Sequence, residues 1–261
     1  MSTAGRLIIV MYHSISENPD GYAISPTTFA RQMESLAQQY RIIRLRDARA
    51  ELTTMRANER CVAVTFDDAF SDFRDLAYPI LRHAGIPASV FVPTGFVGRT
   101  NQWDVNDSSI PQRPIMDATD IRQLYAEGVV DFGSHTVDHP SMADVTTEEM
   151  QRQAIDSKRY LETLLRTPIT TFAYPYGQLD NFSTATTRVI ADAGYDIAVT
   201  THWGTRNSYR NLLSLNRIHF RETDDAATVR AKVDGKYDWI AAKERIGFTV
   251  RWLRKRIYPQ R

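Results

Sequence analysis

The 261-residue chain carries 32 Lys and Arg against 31 Asp and Glu, a formal net charge of +1, and 43% of it is apolar. The apolar share supports a full core, and near-neutrality leaves no global basic field, which argues against nucleic acid as a partner. A single cysteine, Cys61, excludes an internal disulfide and a cysteine-built zinc site, and α/β barrels commonly fold as one unit at this length.

From the N-terminus, Leu7-Ile8-Ile9-Val10-Met11 is too short for a secretory apolar core and has no small-residue cleavage site after it, so it reads as a strand. No run approaches the roughly 20 apolar residues that span a bilayer, and the expectation is a cytoplasmic protein. Apolar, often β-branched runs predict strands near 7–12, 61–66, 88–93, 129–134, 169–174, 196–201 and 214–220. Cys61 then reads as a small core residue inside the second of them.

Helical patterns fall between most of these runs. Residues 26–40 begin after Ser25-Pro26, a cap followed by proline at the first helical position. Segments 71–84, 117–127 and 183–193 stop at Gly85, Gly128 and Gly194, which suit left-handed C-caps. Thr146-Thr147-Glu148-Glu149 predicts a capping box for a helix running to about Arg166, with Met150, Ala154, Leu161, Leu164 and Leu165 near one face. Strands alternating with helices favour a parallel sheet covered on both sides or closed into a barrel.

Read to their C-terminal ends, the strands deliver His13, Asp67 with Asp68, Pro93-Thr94, His135, Tyr174-Pro175, His202 and His219. α/β barrels carry their active sites at that end. A polar connection from Gly98 to Pro114, with Trp103 and Asp104, is longer than most and suits either a lip over the cleft or a plain surface excursion. From Lys243 to Arg261, apolar and basic residues interleave; this suits a basic amphipathic helix resting on an anionic membrane surface, or one docked on its own domain.

Two short stretches carry the chemistry. Gly133-Ser134-His135-Thr136-Val137-Asp138-His139-Pro140 offers two imidazoles four residues apart, which one helical turn would bring to the same face to share a metal, although such a pair also arises by chance. Thr65-Phe66-Asp67-Asp68 ends a buried strand on adjacent carboxylates, whose repulsion asks for a cation or a basic side chain unless they merely cap a helix. One Asp and two His make a three-ligand set that leaves a metal position open for water, the mark of a catalytic site.

With Phe172-Ala173-Tyr174-Pro175-Tyr176-Gly177 as a third motif and Met11-Tyr12-His13 as an opening, the chain resembles the polysaccharide deacetylases of carbohydrate esterase family 4 over roughly residues 5–222. The resemblance implies a distorted (β/α) barrel of about seven parallel strands, with the active site at their C-terminal ends. The catalytic domain would be 1–223, followed by a helical extension 224–261. It implies one divalent metal, usually Zn2+ with Co2+, Ni2+ or Mn2+ as alternatives, and removal of acetyl from an N-acetylated sugar, in a polysaccharide or its biosynthetic intermediate.

By the same resemblance, Asp68, His135 and His139 are the metal ligands and Asp67 is the general base. The backbone N–H of Tyr176, presented by Pro175, is the oxyanion donor, and His13 belongs with the substrate contacts. A late histidine protonates the departing amine in the family; His219 lies at the matching place, with His202 as another candidate. One departure stands out. Many members carry an arginine in the third motif that pairs with the base, whereas here Phe172-Ala173 precede Tyr174, which makes Arg217 the candidate substitute.

The partners expected are an N-acetylated glycan and a peripheral anionic membrane contact through 243–261. The alternatives are deformylation of a lipid-linked aminosugar, hydrolysis of a non-sugar amide, or a catalytically silent carbohydrate-binding protein.

Overall fold

The computed structural model describes residues 5–105 and 110–257, with side chains to residue 249. Its strands in chain order are β1 (Arg6–Tyr12), β2 (Ser14–Ile15), β3 (Ala23–Ile24), β4 (Arg41–Ile43), β5 (Arg60–Phe66), β6 (Ala88–Val92), β7 (Val130–Ser134), β8 (Thr171–Ala173), β9 (Ile197–Trp203) and β10 (Leu215–His219). The main sheet runs β1-β10-β9-β8-β7-β6-β5, and β1 pairs with β5 to close it. All these pairings are parallel, giving the expected seven-stranded barrel.

Alternation along each strand divides the core in two. Leu7, Ile9, Cys61, Ala63, Phe91, Ala173, Ile197, Val199 and Leu215 belong to one buried cluster, inside the barrel. Ile8, Val10, Tyr12, Val62, Val64 and Phe66 belong to a second, larger cluster under the helices. Both faces of the strands are covered, which is why their sequences read as unbroken apolar runs. Cys61 is fully buried, and burial pushes its thiol up to about 12.

The helices follow the sequence signals closely. In α1 (Pro26–Gln39), Ser25 caps the N-terminus by accepting from the Thr28 N–H. Gly85, Gly128 and Gly194 all take left-handed φ after α3 (Tyr78–Ala84), α4 (Ala118–Ala126) and α6 (Thr184–Asp192). In α5 (Thr147–Leu165), Thr146 accepts from the Glu149 N–H and Arg166 closes the helix in the left-handed region.

Two features depart from expectation. The segment 41–54, for which no element was expected, forms β4 and α2 (Ala48–Thr54). Strand β4 pairs with β5 from Cys61 to Ala63, and β6 takes over the same edge from Val64 onward. The run 71–84 is not one α-helix, because Phe73–Ala77 widens into a π-turn before α3. Beyond the barrel, α7 (Ala226–Val233) buries Val229 and Val233 in the larger cluster, and α8 (Trp239–Ile257) follows.

Candidate metal centre and catalytic cleft

Strand β5 sets the geometry. Cys61, Ala63 and Thr65 alternate into the barrel, so Asp67 comes next on the inner side; it is 2% exposed. The chain then turns through left-handed φ at Asp68 and Ala69, which swings Asp68 sideways towards the end of β7. There the two imidazoles converge, though not on a helical turn as their spacing had suggested. Residues 135–139 form a loop with left-handed φ at Thr136 and His139. The His139 N–H donates to Thr136 Oγ1 at 3.0 Å, and Gln153 of α5 accepts from Val137 N–H and Asp138 N–H at 2.8 and 2.9 Å.

Asp68 Oδ1 lies 3.5 Å from His135 Nε2 and 3.4 Å from His139 Nε2. The ligand atoms of the three residues all fall within 4.8 Å of one another. His135 places Nδ1 2.8 Å from Ala173 O; a carbonyl can only accept, so Nδ1 carries the hydrogen and Nε2 turns a lone pair to the triangle. Burial, then His139, depresses His135 to about 4 against the pull of Asp67 and Asp68, so the ring is neutral. Asp68 Oδ1 is buried with no hydrogen-bond partner. An orphaned carboxylate oxygen facing two imidazole nitrogens fits a divalent cation.

Asp67 is held differently. Arg217 of β10 grips it with two hydrogen bonds, Nη1 to Oδ1 at 2.7 Å and Nη2 to Oδ2 at 2.6 Å. The guanidinium also donates to Thr200 O at 2.7 Å and to Thr65 Oγ1 at 3.2 Å. Burial opposes ionisation of Asp67, but the charge and hydrogen bonds of Arg217, helped by His135 and His13, prevail and hold it down at about 2. For Asp68, burial is outweighed by the imidazoles of His139, His13 and His135.

The sequence candidates do not all gather here. His13 Nε2 stands 4.0 Å from Asp67 Oδ2, and its ring meets Tyr22 edge-on at 5.8 Å. His219 stands against Trp203 at 5.1 Å; burial, then the charges of Lys232 and Arg221, depresses it to about 4. Both imidazoles line one groove of about 610 Å3 with Met11, Tyr22 and Phe220. His202 turns away from it, with Nδ1 2.6 Å from Glu244 Oε2 on α8.

Tyr176 has left-handed φ, and its carbonyl accepts from Thr201 Oγ1 at 2.5 Å. Among the described residues none accepts from its N–H, which Pro175 precedes. Trp103, in the 98–114 connection, stacks on His139 at 4.3 Å with 20° between the planes, and Tyr176 meets the same ring edge-on at 4.9 Å. The connection therefore lies over the site, although residues 106–109 fall outside the described residues.

Sequence reasoning missed Gln153 and Thr200, which reach the site through a loop contact and strand pairing and follow no motif, and gave no role to Thr65, the first residue of the second motif. Of the basic tail, residues 258–261 and the side chains beyond 249 are outside the described residues.

The polysaccharide deacetylase family model matches residues 54–198. YxkH of Bacillus subtilis (strain 168), provisionally named a polysaccharide deacetylase, is 26% identical over 215 residues, 82% of this chain and 71% of that protein. The poly-beta-1,6-N-acetyl-D-glucosamine N-deacetylase of Staphylococcus aureus (strain MRSA252) is 23% identical over 181 residues, 66% of this chain and 60% of that protein. Among solved structures, Streptococcus pyogenes deacetylase PplD, in complex with acetate, superposes with a TM-score of 0.76 at 24% identity, covering 88% of this chain and 99% of that one. IcaB from Ammonifex degensii superposes with a TM-score of 0.74 at 23% identity, covering 88% and 98%. At these identities the superpositions speak to the fold.

Proposed function

The chain belongs to the polysaccharide deacetylase family, and from that premise we propose that it hydrolyses the acetamide of an N-acetylated sugar, in a glycan or its biosynthetic precursor. The observation that carries this reading is the Asp68–His135–His139 triangle next to a buried, arginine-held Asp67. The name of the staphylococcal relative, an N-deacetylase of a poly-N-acetylglucosamine, supports a β-linked N-acetylglucosamine polymer as the first substrate to test.

Asp68, His135 and His139 would hold one divalent cation. Two nitrogens and a carboxylate oxygen suit Zn2+, with Co2+, Ni2+ and Mn2+ as substitutes. When bound, the cation supplies Lewis acidity for the amide carbonyl and lowers the pKa of water at its open position.

The remaining work falls to the chain. Asp67 takes the proton of the attacking water, and Arg217 keeps that carboxylate ionised and aimed. The Tyr176 N–H, presented by Pro175, donates to the oxyanion; one such donor is worth roughly 3 kcal/mol. Proton delivery to the leaving amine belongs to His13, the imidazole beside Asp67. His219, the residue expected from sequence, is depressed to about 4 and would carry little proton at neutral pH; it borders the groove as a substrate contact.

The test is acetate release from β-1,6-linked N-acetylglucosamine oligomers, read alongside metal content by elemental analysis. Asp67→Asn should retain metal and lose activity by roughly a hundredfold or more. His135→Ala combined with His139→Ala should lose both. Stoichiometric metal in that double variant would remove the ligand assignment.

A further inference from the structure

Helix α8 presents two faces that meet different surroundings. Its inner face is fixed to the end of β9, where Glu244 accepts from the Trp203 N–H at 2.9 Å and stands 2.6 Å from His202 Nδ1. Asp238, one residue before the helix, accepts from Thr205 N–H at 3.2 Å and Thr205 Oγ1 at 2.7 Å. Ile240 and Ala241 pack on the core.

The outer face is apolar. Trp239 is 59% exposed and Ile246 is 67% exposed. At 3.6 residues per turn, positions 239, 246, 250, 253 and 257 share one stripe, and the sequence fills them with Trp239, Ile246, Val250, Leu253 and Ile257. Lys243 and Arg245, both exposed, lie on opposite flanks of the stripe, and the sequence beyond adds Arg254 and Arg256 at positions that continue the pattern. From Lys243 to Arg261 the sequence has seven basic residues and one acidic residue, and that one, Glu244, is engaged by β9.

We propose that α8 is the docking surface of this protein for an anionic lipid bilayer, lying in the plane of the interface with its outer stripe towards the acyl boundary. Its inward side already has a partner in the barrel, so the outer stripe is not a second core face. Basic residues flanking an apolar stripe are the composition that binds anionic headgroups. Two copies meeting through this stripe would instead bring like charges together, which disfavours a dimer seam. No described helix is long and apolar enough to cross a membrane, which fits surface attachment. His202 and Trp203 end β9 on the same side of the barrel as Asp67, so attachment would hold the cleft close to the lipid surface.

Vesicle co-sedimentation of the full chain tests this without reference to catalysis. Binding is expected to phosphatidylcholine vesicles containing about 30% phosphatidylglycerol and not to pure phosphatidylcholine, and it should fall steeply at ~0.5 M salt. Replacing Arg245, Arg254 and Arg256 together by Gln should weaken binding on the order of a hundredfold, about fivefold per residue. Ile246→Glu should weaken it about tenfold or more. Because both variants alter the outer stripe or its flanks, circular dichroism and Tm should match the parent. Three results would overturn the proposal: no binding to the anionic vesicles at low salt, undiminished binding by the arginine variant, or a concentration-dependent dimer abolished by Ile246→Glu without lipid binding.

Discussion

Removing Arg217 is the sharpest test of how the general base is held. The guanidinium is fully buried and makes both of its bonds to Asp67 without solvent, so Arg217→Met strands a buried carboxylate. Breaking a buried pair from one side costs about 3–5 kcal/mol, out of the roughly 5–15 kcal/mol that holds a domain folded. Asp67 sits at about 2 in the folded chain against 3.8 for the unperturbed group. Its stabilising contribution is therefore present above about pH 4 and lost as pH falls through about 2. The interval corresponds to roughly 2 kcal/mol, of the same order as the stranding cost. Urea denaturation at pH 7 of Arg217→Met, Asp67→Asn and the double variant forms a cycle. The double variant strands no charge and should recover at least about 2 kcal/mol relative to the sum of the single losses. Additive losses would refute the idea that this pair is one coupled unit.

Other expectations follow from neighbouring residues. His13→Ala should lower kcat by roughly a hundredfold with little change in KM, whereas His219→Ala should act mainly on KM; the reverse pattern would return proton delivery to His219. In Gly177→Ala, the new Cβ would stand 2.6 Å from Thr201 N at a residue with φ of +58°. A loss of about 2 kcal/mol or more is expected, and a urea midpoint equal to the parent's would contradict the crowding. Asp72 accepts from Ser14 Oγ at 2.5 Å, and burial, against that bond, pushes it up to about 6. A folded-state value above the unfolded one gives stability that is full below about pH 4 and lost as pH rises through about 6. Thermal melts of the wild type against Asp72→Asn between pH 4 and 7 should show that decline only in the wild type.

The barrel was legible because strands buried on both faces write their length directly into apolar runs, and because Gly85, Gly128 and Gly194 mark helix ends where only φ matters. Strand β4 escaped notice because Arg41-Ile42-Ile43 is too short to show a period. Residue chemistry and strand ends singled out Asp67, Asp68, His135 and His139; the family resemblance supplied their expected roles and, through the missing third-motif arginine, the candidacy of Arg217. The path between the two histidines was misread: spacing alone cannot distinguish a helical turn from a loop bent through left-handed φ at Thr136 and His139. Nor could sequence choose between His13 and His219 as the proton donor proposed above. Both end their strands, and only the packing of the latter against Trp203 and near Lys232 separates them.

Strand β1 joins the first and last parts of the barrel, pairing Val10 with Val64 on one side and Ile218 on the other. The three metal-capable residues lie within one continuous stretch of chain, from Asp68 to His139, whereas Asp67 and its arginine are 150 residues apart. Loop closure over such a span is the slow, non-local part of folding. Under the proposed function, the carboxylate assigned as base therefore meets its arginine only when the two ends of the chain come together.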